Sequence, residues 1–428
     1  MTNLMFEVAG LWIAALLAGL PLFATMGLAA FIFVALAGFT DSIVPQKMAN
    51  TVNAFPIIAA PLFILMGNIL NAAQVTNRIV TFSKSLLGWT RGGLAHASVL
   101  ASAIFAGMCG SAVADAAGVG SIEIKAMKDA GYRPELAASI SAASATIGPI
   151  VPPSLPLVIY GVTADVSVGA LFLAGMIPGV LMAISLMTMV AVIAKRHGLP
   201  AHPFLGLRGI WAAFREAFGA LLTPVILLGG ILSGTFTPTE GAAVATTYAL
   251  ILGLFVYRTL TWRDLPGIIV QSAETVGVVL ALVMTAGALG WCLSISRVPQ
   301  TIAPALVAAI HDPRLFLVVC VLILLAVGCF MEVLAAMLIL IPILTPVAAQ
   351  FGIDARQFGV IFVFTLVLGT IHPPVGVVIF ITSRIAGISF ETMSRAVLPW
   401  LVPLLVVLGL IVAFPPLTTF MPKLVLGR

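Results

Sequence analysis

The sequence predicts an all-α polytopic membrane protein with about ten transmembrane helices and two re-entrant hairpins, built as an inverted repeat. Three observations predict it. Hydrophobic residues fill 61% of the 428 positions and charged residues only 8%, whereas a soluble domain carries roughly a quarter charged residues. Two proline pairs interrupt apolar segments, one in Gly148-Pro149-Ile150-Val151-Pro152-Pro153-Ser154 and one in Gly369-Thr370-Ile371-His372-Pro373-Pro374. An offset of 221 residues superposes Gly107 on Gly328, Gly131 on Gly352, Gly148 on Gly369 and Pro152-Pro153 on Pro373-Pro374, with no gap. Gly and Pro mark the positions where backbone shape matters most, so these coincidences point to duplicated structure.

The same composition excludes other classes. The formal charge of +5 comes from scattered loop Lys and Arg, without a basic run, and gives no support to nucleic-acid binding. Cys109, Cys292, Cys320 and Cys329 lie in apolar context without CxxC spacing and read as small core residues. No HExxH and no close His/Asp/Glu cluster occurs, so no transition-metal centre and no cofactor are expected. The N-terminus lacks a basic n-region and carries Glu7 before its apolar run, so no cleavable signal is expected.

In chain order, apolar runs near 5–20 and 22–38 abut at Pro21. A polar loop with Asp41 and Lys47 precedes a span near 53–71. Ile79, Phe82, Leu86 and Trp89 recur at helical spacing with Arg78 and Lys84 between them, the pattern of a helix along the membrane interface. Residues 93–124 are apolar but interrupted at Gly107-Met108-Cys109-Gly110-Ser111, leaving arms of about 15 residues where a spanning helix needs about 20. Arg91 precedes this stretch and Lys125, Lys128 and Arg133 follow it, which suits a re-entrant hairpin; one long tilted span is the alternative. The broken segment 135–161 and a span near 168–194 complete a first repeat over 1–200. An interfacial connector helix is expected over 201–218, with Trp211, Phe214 and Phe218. The second repeat, 219–428, has spans near 219–236, 240–257 and 267–292, and a loop with Arg297, His311 and Arg314. A hairpin over 315–349 holding Glu332, a broken segment over 357–383 and a last span near 396–417 follow.

Five spans and one hairpin per repeat invert the second repeat relative to the first. On that topology fourteen Lys and Arg fall on the cytoplasmic side and six on the other, with both termini outside.

A helix broken at mid-membrane exposes free N–H groups at the start of its second piece and free carbonyls at the end of its first. Carbonyl ends suit Na⁺ and N–H ends suit a carboxylate. Ser111 and Ser154 lie just after their breaks, where a hydroxyl can cap a helix or face a ligand. Thr365 and Thr370 have the same two readings. Asp115 and Glu332 are the acidic groups deepest in apolar sequence, which favours a role for each. His372, beside the second proline pair, is either a polar ligand, a proton group or a hydrogen-bonded structural residue.

At these residues the chain resembles a known family. GMCGSAVADAAG (107–118), Ala130-Gly131-Tyr132, IGPIVPPS (147–154), FTPTEGAAVA (236–245) and PPVG (373–376) are similar to the large membrane subunit of tripartite ATP-independent periplasmic (TRAP) transporters, the DctM-like family. The resemblance covers essentially the whole chain. It implies an elevator-type permease of the bacterial inner membrane that imports small organic acids with Na⁺ as coupling ion, H⁺ staying open through His372. It implies a small four-helix membrane subunit and a periplasmic substrate-binding protein as partners, neither contained in this chain, besides the organic acid and the lipid bilayer. Carried over by position, the substrate residues are Cys109, Ser111, Ser154 and Glu332. The Na⁺ sites are Gly107, Gly110, Ser111, Gly148 and Pro152 in one half, and Gly328, Gly369, Thr370 and Pro373 in the other. Glu332 stands where Asp is usual, Thr365 where Asn is usual, and His372 where Thr commonly precedes the prolines. A self-sufficient divalent-anion/Na⁺ symporter is the runner-up, and an embedded enzyme using Asp115 or Glu332 is a distant alternative.

Overall fold

The computed structural model describes residues 1–427 except His202, Pro299, 302–309 and His311; His311 and Arg428 of the expected outer loops therefore lie outside the described residues. Among the described residues there is no β-strand. The first helices are α1 (Thr2–Leu17), α2 (Leu22–Leu36), α3 (Ile43–Val52), α4 (Ala59–Ala72) and α5 (Val75–Leu87). The expected polar loop is thus largely helix α3, which bends by 64° into the segment Pro56–Ala72. Helix α5 buries Val75, Ile79 and Val80; of the face read from the sequence Ile79 is buried, Phe82 and Leu86 are half-buried, and Trp89 is exposed beyond the helix end.

Helices α6 (Gly93–Cys109), α7 (Ala112–Ala117) and α8 (Val119–Asp129) follow. The chain reverses at Gly110, which has φ +62°, and the returning arm is split at Gly118. Helix α8 packs back on α6, and Ser98 on the outgoing arm donates to Glu123 on the returning one. The broken element is α9 (Pro134–Ala145) and α10 (Leu155–Thr163), followed by α11 (Val168–His197).

Helix α12 (Gly206–Leu232) runs through the boundary where a separate connector over 201–218 was expected. That expectation is corrected: Pro224 sits inside the helix, and nothing at Phe218 or Gly219 stops it. Next come α13 (Pro238–Ile251), which ends in a π-helical turn, and α14 (Leu265–Ile295). Helix α13 begins with a capping box between Thr237 and Glu240. The second hairpin is α15 (Pro313–Phe330) and α16 (Val333–Gln350), and the second broken element is α17 (Ala355–Gly369) and α18 (Val377–Ala386). Helices α19 (Phe390–Ala413) and α20 (Pro416–Leu426) end the chain.

Among the described residues seven helices are long and apolar enough to span a bilayer, or eight if the bent pair at 43–72 is one span. Two of the seven are α15 and α16, and α1, α2, α6, α17 and α18 are apolar but shorter. The 221-residue offset found in the sequence also relates helix ends. Cys109 and Phe330 close the outgoing arms, Ala112 and Val333 open the returning ones, and Pro134 and Ala355 open the broken helices. The second pieces then cross over. Helix α10 packs on α16 of the other hairpin, and α18 packs on α7 and α8 of the first. Tyr160 of α10 meets the Thr345 hydroxyl at 3.5 Å, and the Lys128 ammonium donates to the Ala386 carbonyl at the end of α18, 2.9 Å. A cation there also complements the helix dipole.

Asp354 caps α17, accepting from the Arg356 and Gln357 backbone N–H groups while its carboxylate grips the Arg356 guanidinium. The hydrogen bond from that guanidinium holds the Asp354 carboxyl below the usual carboxylate range. A depressed pKa contributes stability above the unfolded value, about 3.9, and loses it as pH falls through the folded value. Asp354→Asn is therefore expected to lower stability at pH 7 and to flatten its decline below about pH 4. Thermal unfolding of both chains between pH 3 and pH 7 checks this; parallel acid limbs would refute it.

Candidate functional site

Each hairpin tip rests directly on the proline break of its own repeat. In the first repeat a Cβ added at Gly110 would lie 2.6 Å from the Pro153 carbonyl oxygen, and one at Gly148 would lie 3.6 Å from the Ser111 carbonyl. In the second, a Cβ on Gly369 would lie 2.3 Å from the Gly328 carbonyl carbon. The Gly376 N–H also donates to the Cys329 carbonyl, 3.3 Å. Helix ends can approach this closely only where no side chain intervenes.

Three of the four breaks give helix N-termini with polar caps, and α18 starts at Gly376 without one. Ser111 accepts from the Ala114 N–H at 3.4 Å, and Ser154 from the Leu157 N–H at 3.2 Å. Glu332 caps α16, its carboxylate accepting from Leu334 at 2.9 Å and Ala335 at 3.2 Å. Four helix starts thus gather: α7, α10, α16 and α18. A cavity of about 50 Å³ lies where they meet, lined by Gly110, Ser111, Pro149, Leu155, Glu332 and Thr370 among others. All four breaks contribute to that lining. Such a volume holds a few waters or an ion.

The expected residues separate into two groups. Gly110, Ser111, Glu332 and Thr370 line the cavity. Gly148, Gly328 and Gly369 form close backbone contacts behind it, whereas Gly107 faces the Pro224 ring of α12. Pro152 and Pro373 shape the breaks without lining the cavity. Ser154 is fully buried and donates inward to the Pro149 carbonyl, so its hydroxyl is committed to the turn. Cys109 is directed at α4, where its sulfur would lie 3.2 Å from a Cβ on Gly67. Thr365 and Thr370 donate to the Ile361 and Val367 carbonyls, each at 2.7 Å. His372 is half-buried, its Nδ1 3.3 Å from the Cys329 sulfur and against the Pro373 carbonyl. It braces the second break and does not line the cavity.

Asp115 lies one turn into α7 and is 2% exposed; among the described residues neither carboxylate oxygen has a partner in well-formed hydrogen-bond geometry, the Ser102 hydroxyl being the group that faces it. Glu123, whose Oε1 is likewise without a partner among the described residues, is a second buried carboxylate that interacts electrostatically with it. Sequence reasoning passed over Glu123 because it stands at the very end of the 93–124 hairpin, next to Lys125, and so lies less deep in apolar sequence than Asp115. The cavity residues Pro149, Leu155 and Val333 were also passed over as ligand contacts, since apolar residues beside a break carry no signal of their own.

Mirrored hairpins resting on mirrored helix breaks, inside an all-helical membrane fold, define a class of membrane transporter. The transporter YdaH from Alcanivorax borkumensis has this fold, with TM-score 0.66 at 14% identity, covering 91% of this chain and 96% of that one. Residues 9–417 match the family model described as the tripartite ATP-independent periplasmic transporter, DctM component, and the chain belongs to that family. It is 44% identical to the sialic acid TRAP transporter large permease protein SiaM of Vibrio cholerae over 97% of this chain and 98% of that protein. It is 39% identical to the sialic acid TRAP transporter permease protein SiaT of Haemophilus influenzae, over 97% of this chain and 68% of that protein. Family and spans together make it a multi-pass protein of the bacterial inner membrane.

Proposed function

We propose that this permease component imports a small organic acid together with Na⁺, by an elevator movement and in dependence on a periplasmic binding protein. The observation that carries the reading is the single cavity to which all four helix breaks contribute. Helix N-termini directed at it favour an anion, and the carbonyls of the neighbouring breaks favour a cation. The two hairpins and the crossed pieces α10 and α18 form the moving block; α5, α12 and α13 belong to the scaffold. The small cavity fits an ion-sized occupant, so the substrate enters when the block is displaced or its tips part. Relatives bearing the names of sialic acid, C4-dicarboxylate and 2,3-diketo-L-gulonate transporters support a carboxylate as cargo. A small membrane subunit is the companion that membership of the family suggests.

The test is reconstitution of the chain with its small subunit and a candidate binding protein in vesicles, imposing Na⁺ and pH gradients separately. Sialic acid, a C4-dicarboxylate and a keto acid serve as first substrates. Accumulation driven by the Na⁺ gradient is expected; uptake that ignores Na⁺ and follows pH would overturn the coupling. Uptake undiminished without the binding protein would favour a self-sufficient symporter.

A further inference from the structure

At one end of the molecule, where Arg133, Lys195, Arg196 and Arg395 gather, helices α9, α11 and α19 diverge around a groove of about 300 Å³. Leu136, Met189, Val192, Ile193 and Pro399 make most of it apolar. The one indole there is satisfied internally, since Trp400 Nε1 donates to the Ser139 hydroxyl at 3.0 Å. The rim is cationic. Arg133, at the start of α9, and Arg196, in the last turn of α11, both line the groove, together with His197 and Glu135. Arg133 is ion-paired with Glu135, whereas no carboxylate among the described residues lies in ion-pair contact with Arg196. His197 is turned back, its Nδ1 3.2 Å from the Ile193 carbonyl. Past Ala396 the groove continues into a depression holding Arg395, Thr392 and Glu391. The facing charges therefore sum to an excess of arginine.

We infer that this groove binds one anionic phospholipid, its phosphate diester between Arg196 and Arg133 and one acyl chain along the apolar floor. A soluble anion would gain nothing from that floor, and a zwitterionic lipid would leave the arginine excess unanswered. A guanidinium suits phosphate because its donors form a planar fork, and basic pockets between helices on the cytoplasmic side recognise acidic headgroups. Helix α9 is the first piece of the broken element, so the lipid would wedge between it and α11. The binding claim stands on the groove alone and does not depend on the transport reading.

The test is native mass spectrometry and lipid extraction on the full chain, purified from detergent mixed with equal phosphatidylglycerol and phosphatidylcholine. Preferential retention of phosphatidylglycerol is expected. Arg196→Gln should weaken it about fivefold and Arg196→Lys much less; Ile193→Trp, which fills the floor at constant charge, should displace the lipid. Arg208→Gln, a basic residue outside the groove, should have no effect. Equal losses in the Arg208 and Arg196 variants would mean nonspecific charge attraction and overturn the site, as would retention unaffected by Ile193→Trp in a folded chain. Glycerol 3-phosphate competing as well as the lipid would also overturn it.

Discussion

Gly369→Ala is expected to cost about 3 kcal/mol of stability, at the upper end of overpacking penalties, and to remove roughly nine-tenths of uptake. Overpacking is usually tolerated because neighbouring side chains shift. Here the added Cβ would meet backbone: the Gly328 carbonyl carbon at 2.3 Å, with its Cα and oxygen at 2.6 Å. Only separation of α15 from α17 relieves that clash, and separation would pull the second hairpin tip away from its break. Gly409→Ala provides the comparison, because that glycine lies within helix α19 with nothing inside 4 Å of the added carbon. It should be neutral or stabilising by about 0.5–1 kcal/mol, the helix preference for Ala. Thermal unfolding and vesicle uptake of both variants decide the matter. Wild-type uptake by Gly369→Ala would show that the close crossing is dispensable.

Glu332 separates two jobs that one side chain performs. As the cap of α16 it satisfies the Leu334 and Ala335 N–H groups, and as a cavity residue it brings a carboxylate to the meeting point. Glu332→Ala should lose the cap, about 1 kcal/mol, and about tenfold or more in uptake, equivalent to about 1.4 kcal/mol. Glu332→Gln can keep the cap through its amide oxygen while losing the charge. Its stability is therefore expected to stay near wild type while its uptake falls and its Na⁺ dependence weakens. If the Gln chain transports normally at every Na⁺ concentration, the charge has no part in coupling and Glu332 is only a cap.

Much of the fold was legible because proline and glycine determine backbone shape locally. Pro152-Pro153 and Pro373-Pro374 located both breaks, and Gly110 located the first hairpin tip. The repeat was legible for the same reason. Signals that depend on packing were not. Ile43–Val52 reads as loop because Pro45, Gln46, Lys47 and Asn50 dilute its apolar residues, yet it folds as a helix packed on α14. Trp211, Phe214 and Phe218 suggested a separate interfacial connector ending at 218, whereas one helix runs from Gly206 to Leu232. The site was half legible. Ser111, Glu332 and Thr370 reach the cavity as their places beside the breaks suggested. Ser154, equally well placed in the sequence, turns its hydroxyl back to Pro149, and a hydroxyl's direction follows from the local turn, which residue order does not reveal. His372 is similar: the Cys329 sulfur and the Pro373 carbonyl together explain its orientation.

The contact between Gly328 and Gly369 has an evolutionary consequence. A crossing made of main chain carries no chemical identity, so it stays the same whichever side chains occupy the rim. Residues such as Ser111, Glu332 and Thr370 can then be exchanged one at a time while the frame that gathers the four helix starts keeps its shape. Under the proposed function, that separation gives a route by which one architecture is retuned from one acid to another, with no new fold required at any step.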